Sequence, residues 1–226
     1  MYFRILAIAG LAVVAPSFAF LSTAQTTDTR ASLNVVLPRE AEIQLAVSAA
    51  PEHLREGSSV YVFGKAGFTL AREGHNGFTC MVNRDAFFYG DTSFKPTCWD
   101  AQGASTYVPV MLRVGELLAA GKTMADIRTD IDTGFSDGRF HHPDRIGVAY
   151  MLAGDVGVDP KSGRITKQNY PGHYMFYAFG VTNNDLGFSR DVAKNDATFP
   201  FVFSAGAGGV NLPYLISVPG HHHDGY

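Results

Sequence analysis

Cysteine and tryptophan are nearly missing from this chain: two cysteines and one tryptophan stand among 226 residues. No spacing of Cys and His matches a structural zinc site, and no nucleophile motif or phosphate loop occurs. Basic residues are also few, with 18 Lys and Arg against 21 Asp and Glu and a formal charge of −3. They do not cluster, which argues against nucleic acid or anionic lipid as a partner. The most apolar run, residues 5–15, is shorter than the roughly 20 residues of a comfortable membrane span, and no cysteine after it can carry a lipid anchor. Internal repeats and domain linkers are lacking too. No cofactor is expected.

The N-terminus has the form of a secretory signal peptide. Arg4 supplies a positive charge, an apolar stretch follows, and Ser22 and Ala24 are the small residues ahead of a cut before Gln25, with Ala19 as a second candidate. Removal of 1–24 leaves one domain's worth of chain, slightly acidic, for a periplasmic or secreted location and with no stable membrane span. In such a compartment an even cysteine count reads as one disulfide, Cys80–Cys98. The surrounding stretch from Gly74 to Asp100 also holds the tryptophan, a tight turn and a strong strand.

Residues 25–37, polar at first, are expected to form a flexible leader. A helix is predicted from Pro38, with Glu40 and Glu42 in its first turns and Pro51 kinking or ending it. From Ser59 the period becomes strand-like: SVYVFG, FTLARE and FTCMVNR, separated by Gly-rich turns, predict a three-stranded antiparallel meander. The loop after it would carry Cys98 back to the sheet. Residues 104–121 predict a helix starting near Pro109. Thr123 and Asp126 form a capping-box pattern that opens a second helix. Strands return at RIGVAYML, HYMFYAF, FPFVFS and PYLISV. This order predicts an α+β fold over 38–219, a single domain with a largely antiparallel sheet and about three packed helices, followed by a His-rich tail at 220–226.

Asn76-Gly77-Phe78-Thr79-Cys80, Pro96-Thr97-Cys98, Ala149-Tyr150-Met151-Leu152 and Gly172-His173-Tyr174-Met175-Phe176-Tyr177 together resemble a family of secreted bacterial proteins of unassigned function. The resemblance implies an exported, disulfide-bonded domain. It implies nothing about chemistry.

The candidate chemistry is sparse. His173 opens an apolar strand and is either a general base held by an acid such as Asp185, or a structural histidine bonded to a backbone carbonyl. Cys80 with His173 would mimic a cysteine hydrolase dyad, but a disulfide removes the thiolate. Arg84 and Asp85 follow the central strand, either as a carboxylate-binding pair or as a solvated salt bridge. Gly206-Ala207-Gly208-Gly209 is a weak nucleotide-loop pattern, and Pro213 blocks the helix such a loop needs. His141, His142 and Asp144, and separately His221, His222, His223 and Asp224, are weak divalent-metal candidates.

Three functions stay open. The first is a non-catalytic exported module binding an unknown small molecule or envelope component. The second is an envelope hydrolase using His173, which co-location of His173, Asp185 and Arg84 would favour. The third is a divalent-metal-binding protein.

Overall fold

The structure, a computed structural model, describes residues 32–89, 91–196, 198–203 and 212–219. The expected signal-peptide stretch, the glycine-rich 205–209 and the His-rich tail lie outside the described residues. The flexible leader expected over 25–37 is corrected in its described part, where Leu33 and Leu37 are buried in the core. The fold is α+β, as the sequence predicts. Helix α1 is Arg39–Val47 and α2 is Glu52–Arg55, with Pro38 and Pro51 as their N-caps. Strands β1 (Ser59–Gly64), β2 (Gly67–Arg72) and β3 (Thr79–Asn83) follow, then a 3-10 turn at Asp85–Tyr89 and β4 (Lys95–Trp99). Helices α3 (Ala101–Ala119) and α4 (Met124–Ser136) come next. The rest comprises β5 (Val148–Met151), β6 (Asp155–Val158), β7 (Ile165–Tyr170), β8 (His173–Tyr177), α5 (Arg190–Asn195), β9 (Phe201–Phe203) and β10 (Tyr214–Ser217).

Among the described residues eight strands form one sheet in the order β2-β1-β3-β4-β5-β8-β10-β9, and β6 pairs with β7 in a separate hairpin. The expected meander is corrected here. β1 and β2 do form an antiparallel hairpin, but β3 lies on the other side of β1 and runs parallel to it, with Ser59 opposite Thr79. The turn at Asn76-Gly77 therefore does not close a hairpin. Asn76 instead binds the end of α2, donating from Nδ2 to the Leu54 carbonyl at 2.8 Å while its Oδ1 accepts from Phe78 N. This anchor carries the chain across the end of β1.

Cys98 is on a strand and not in a loop. It is the register partner of Cys80 across β3 and β4, the Cα atoms are 4.0 Å apart, and the two are joined by a disulfide. Both are wholly buried beneath α1, with the Cys98 sulfur 3.7 Å from the Ala46 carbonyl. Because side chains alternate along β4, the neighbouring Trp99 faces the other way, toward α3. The two helices thus cover opposite faces of the sheet.

α3 begins eight residues earlier than Pro109, which sits inside it. Asp100 explains the difference. Its Oδ1 accepts from Gly103 N at 2.9 Å and from the Tyr177 hydroxyl at 2.7 Å, while Oδ2 accepts from Val148 N at 3.0 Å. One carboxylate caps the helix and ties it to β5 and β8, and the apolar face from Tyr107 to Leu118 holds the turn that proline weakens. α4 starts at Thr123 with the full reciprocal capping box to Asp126. Among the described residues no helix is long and apolar enough to cross a membrane.

Candidate functional site

A cavity of about 200 Å³ lies between the α3 face of the sheet and the β6–β7 hairpin. The alternation of each strand decides what enters it. β4 contributes Lys95, Thr97 and Trp99, β8 contributes His173 and Met175, and β5 contributes Met151. β9 and β10 add Phe201, Phe203, Tyr214 and Ile216. Register aligns these side chains in rows: Met151 stands opposite His173, and Met175 opposite Ile216. Asn83 and Asp85 enter from the end of β3, Asp155 and Tyr170 from the hairpin, and Met111 and Leu212 complete the wall.

Tyrosines hold one side of the cavity in place. Trp99 Nε1 donates to the Tyr214 hydroxyl at 2.8 Å, and Tyr107 donates from its hydroxyl to the Pro213 carbonyl at 3.1 Å. The rings of Tyr107 and Tyr214 meet edge to face at 4.8 Å. Buried phenols that find partners in this way fix β10 against α3.

His173 is buried and lines the cavity. Its Nδ1 lies 2.8 Å from the Pro171 carbonyl, an oxygen that can only accept, so Nδ1 carries the proton and donates. Burial, followed by the Lys95 charge, lowers its pKa, with the Pro171 bond opposing. The ring is therefore neutral near pH 7. This is the structural arrangement foreseen for a histidine bonded to backbone, placed at the edge of a cavity.

Asp85 and Asp155 are the acids of the site. Burial raises the pKa of Asp85; Lys95 pulls it down and Asp155 pushes it up. Burial likewise raises Asp155, against Lys95, whose Nζ is 3.7 Å from Asp155 Oδ2. Asp85 Oδ1 is buried with no hydrogen-bond partner among the described residues.

The raised value of Asp85 has a measurable consequence. The folded chain keeps this proton to higher pH than the unfolded chain does. Stability from the group is present below about pH 3.9, the unfolded value, and is lost as pH rises through the folded value. Asp85→Asn escapes that loss. Urea unfolding should find the variant more stable than wild type at pH 8 and level with it at pH 4; a variant less stable at both would show that Asp85 is held charged.

Of the other candidates from sequence, Asp185 is exposed, its Oδ2 accepting from Thr182 N at 2.8 Å and from the Thr182 hydroxyl at 2.7 Å. It does not reach His173. Arg84 points to the opposite face of the sheet, where it meets Glu42 at 3.0 Å and lies over the rings of Phe63 and Phe94. The expected pairing of Arg84 with Asp85 is thus corrected: adjacent residues at the strand end diverge to opposite faces. The hydrolase set of His173, Asp185 and Arg84 is not brought together.

His142 is stacked between Phe135 and Phe179, centroids 4.5 and 4.1 Å away, and burial lowers its pKa. Among the described residues no group of three His, Cys, Asp or Glu is placed to hold a metal ion. His141, His142 and Asp144 do not form such a group. His221, His222 and His223 lie outside the described residues.

Sequence reasoning missed Lys95 and Asp155. The alternation of KPTCW would have placed Lys95, Thr97 and Trp99 on one face, and Asp155 opens a short strand directly after Gly154. Neither residue belongs to a motif. Comparisons with protein-family models, with curated proteins and with solved structures find no match for this chain.

Proposed function

We propose that this protein is an exported binding module that holds a small, largely apolar ligand in the cavity between β4, β8, β9 and β10. One observation carries the reading: a partly open, largely apolar chamber that collects two acids, a lysine and a histidine at the sheet and the β6–β7 hairpin. A cavity near 150 Å³ lined by aliphatic side chains takes a benzene-sized guest, so this one suits one ring with a short arm. A packed core would have closed such a space, since voids of this size cost stability. The signal-peptide pattern and the buried Cys80–Cys98 bond support export.

Native mass spectrometry of protein recovered from the export compartment tests both halves. The chain should begin at Gln25 and carry a small adduct, either acquired in the cell or taken up from a set of ring-sized fragments. Ile216→Phe, which fills the cavity from β10, should abolish the adduct and keep the fold. A chain beginning at Met1 would remove the export half. Failure of every fragment to bind, or equal binding by Ile216→Phe, would remove the other.

A further inference from the structure

Resting on the reading of the cavity as a binding site, we infer that its ligand ends in a protonated amine that docks on Asp85. The first observation is Asp85, a residue of the cavity wall whose Oδ1 is buried without a hydrogen-bond donor among the described residues. Buried polar atoms are almost always partnered, and an acceptor left alone is costly. The second is charge. Asp155 has Lys95 beside it at 3.7 Å, so among the described residues one cation serves the two acidic residues that line the chamber. With both ionised, the chamber is one positive charge short. A ligand ammonium supplies the missing donor and the missing charge together, because it carries three N–H groups and no acceptor.

Other ligand chemistries fit less well. A metal ion would need a cluster of donors, and no group of three His, Cys, Asp or Glu is placed for one among the described residues. A carboxylate or phosphate would meet Asp85 as a like charge in a low-dielectric space. His173 does not take the ligand's charge, since its Nδ1–H is turned to Pro171 and the ring is neutral. Met151, Met175, Ile216 and Phe201 line much of the remaining wall with apolar side chains, which match hydrocarbon in the remainder of the ligand. The ligand class is therefore a small arylalkyl or alkyl amine.

Calorimetric titration of the exported protein with three probes of one shape decides the matter: phenethylamine, phenethyl alcohol and hydrocinnamate. In wild type the amine should bind about tenfold tighter than the alcohol or better, the difference expected of a charged hydrogen bond, and hydrocinnamate should bind weakest. Asp85→Asn should bring the amine down to the alcohol and leave the alcohol unchanged. An alcohol as tight as the amine in wild type, hydrocinnamate as the preferred probe, or an Asp85→Asn protein that keeps its preference for the amine would each overturn the inference while leaving a binding site in place. Should none of the three bind, the binding reading falls with it. The wild-type comparison stands alone if Asp85→Asn does not fold.

Discussion

Replacing Arg84 by methionine should lower the unfolding free energy by about 3–5 kcal/mol, the usual cost of stripping one partner from a buried ion pair. Arg84 and Glu42 are both fully buried, and Nη2 of the arginine meets Oε1 of the glutamate at 3.0 Å. That oxygen also accepts from Phe63 N at 3.0 Å. Burial has already brought Arg84 down to about 10 and raised Glu42, the mutual attraction opposing both shifts. Without the arginine, Glu42 must either ionise unpaired or hold its proton. Adding Glu42→Gln should restore most of the loss, since the amide oxygen still accepts from Phe63 and no charge is left behind.

The pH dependence follows from the raised value of Glu42. Its stability is present below about pH 4.3, the unfolded value, and is lost as pH rises through the folded value, further still once Arg84 is gone. The Arg84→Met deficit should therefore be larger at pH 7 than at pH 4. Urea unfolding of the two variants at both pH values tests this. Equal losses in the single and double variants would show that the pair is not the source.

Removing the Cys80–Cys98 bond should cost about 3 kcal/mol, on the loop-closure estimate for residues separated by 18 positions. For a chain of this size the melting temperature should fall by roughly 6–12 °C. The native strands stay paired without the bond, because Met81 and Thr97, and Val82 and Pro96, continue the β3–β4 register beside it. The effect thus belongs mainly to the unfolded chain. Cys80→Ala with Cys98→Ala, compared with wild type in urea with and without reductant, gives the measurement. Coincident transitions would refute it. The cavity should be unaffected, since both sulfurs lie on the far face of the sheet.

The sequence made the local elements legible. The capping box at Thr123, the strand at His173 and the cysteine pairing all follow from residues close together or from simple parity, and all stand in the structure. Strand order was not legible. Asn76-Gly77 has the form of a hairpin turn, yet the side-chain bond from Asn76 to Leu54 spans 22 residues and sends β3 past β1. Such an anchor cannot be read from neighbours. Pro109 misplaced the start of α3 because the carboxylate that outweighs it, Asp100, acts through β5 and β8. Half of the candidate site was legible: His173 and Asp85 were both named. Their true companions, Lys95 and Asp155, come from strands that only the tertiary fold brings beside them.

β4 also limits which changes in chain length the protein tolerates. Lys95, Thr97 and Trp99 face the cavity while Pro96 and Cys98 face α1. Loss or gain of one residue within the strand would exchange the two sets, turning a cysteine toward the cavity and a lysine into the packed layer. Point substitutions at Lys95 or Thr97 leave the covalent link untouched, so the cavity lining can change without loss of the bond. Insertions and deletions cannot. Tolerated change should therefore be confined, along β4, to replacement at alternate positions, with changes of length pushed into the segment between Asp85 and Phe94.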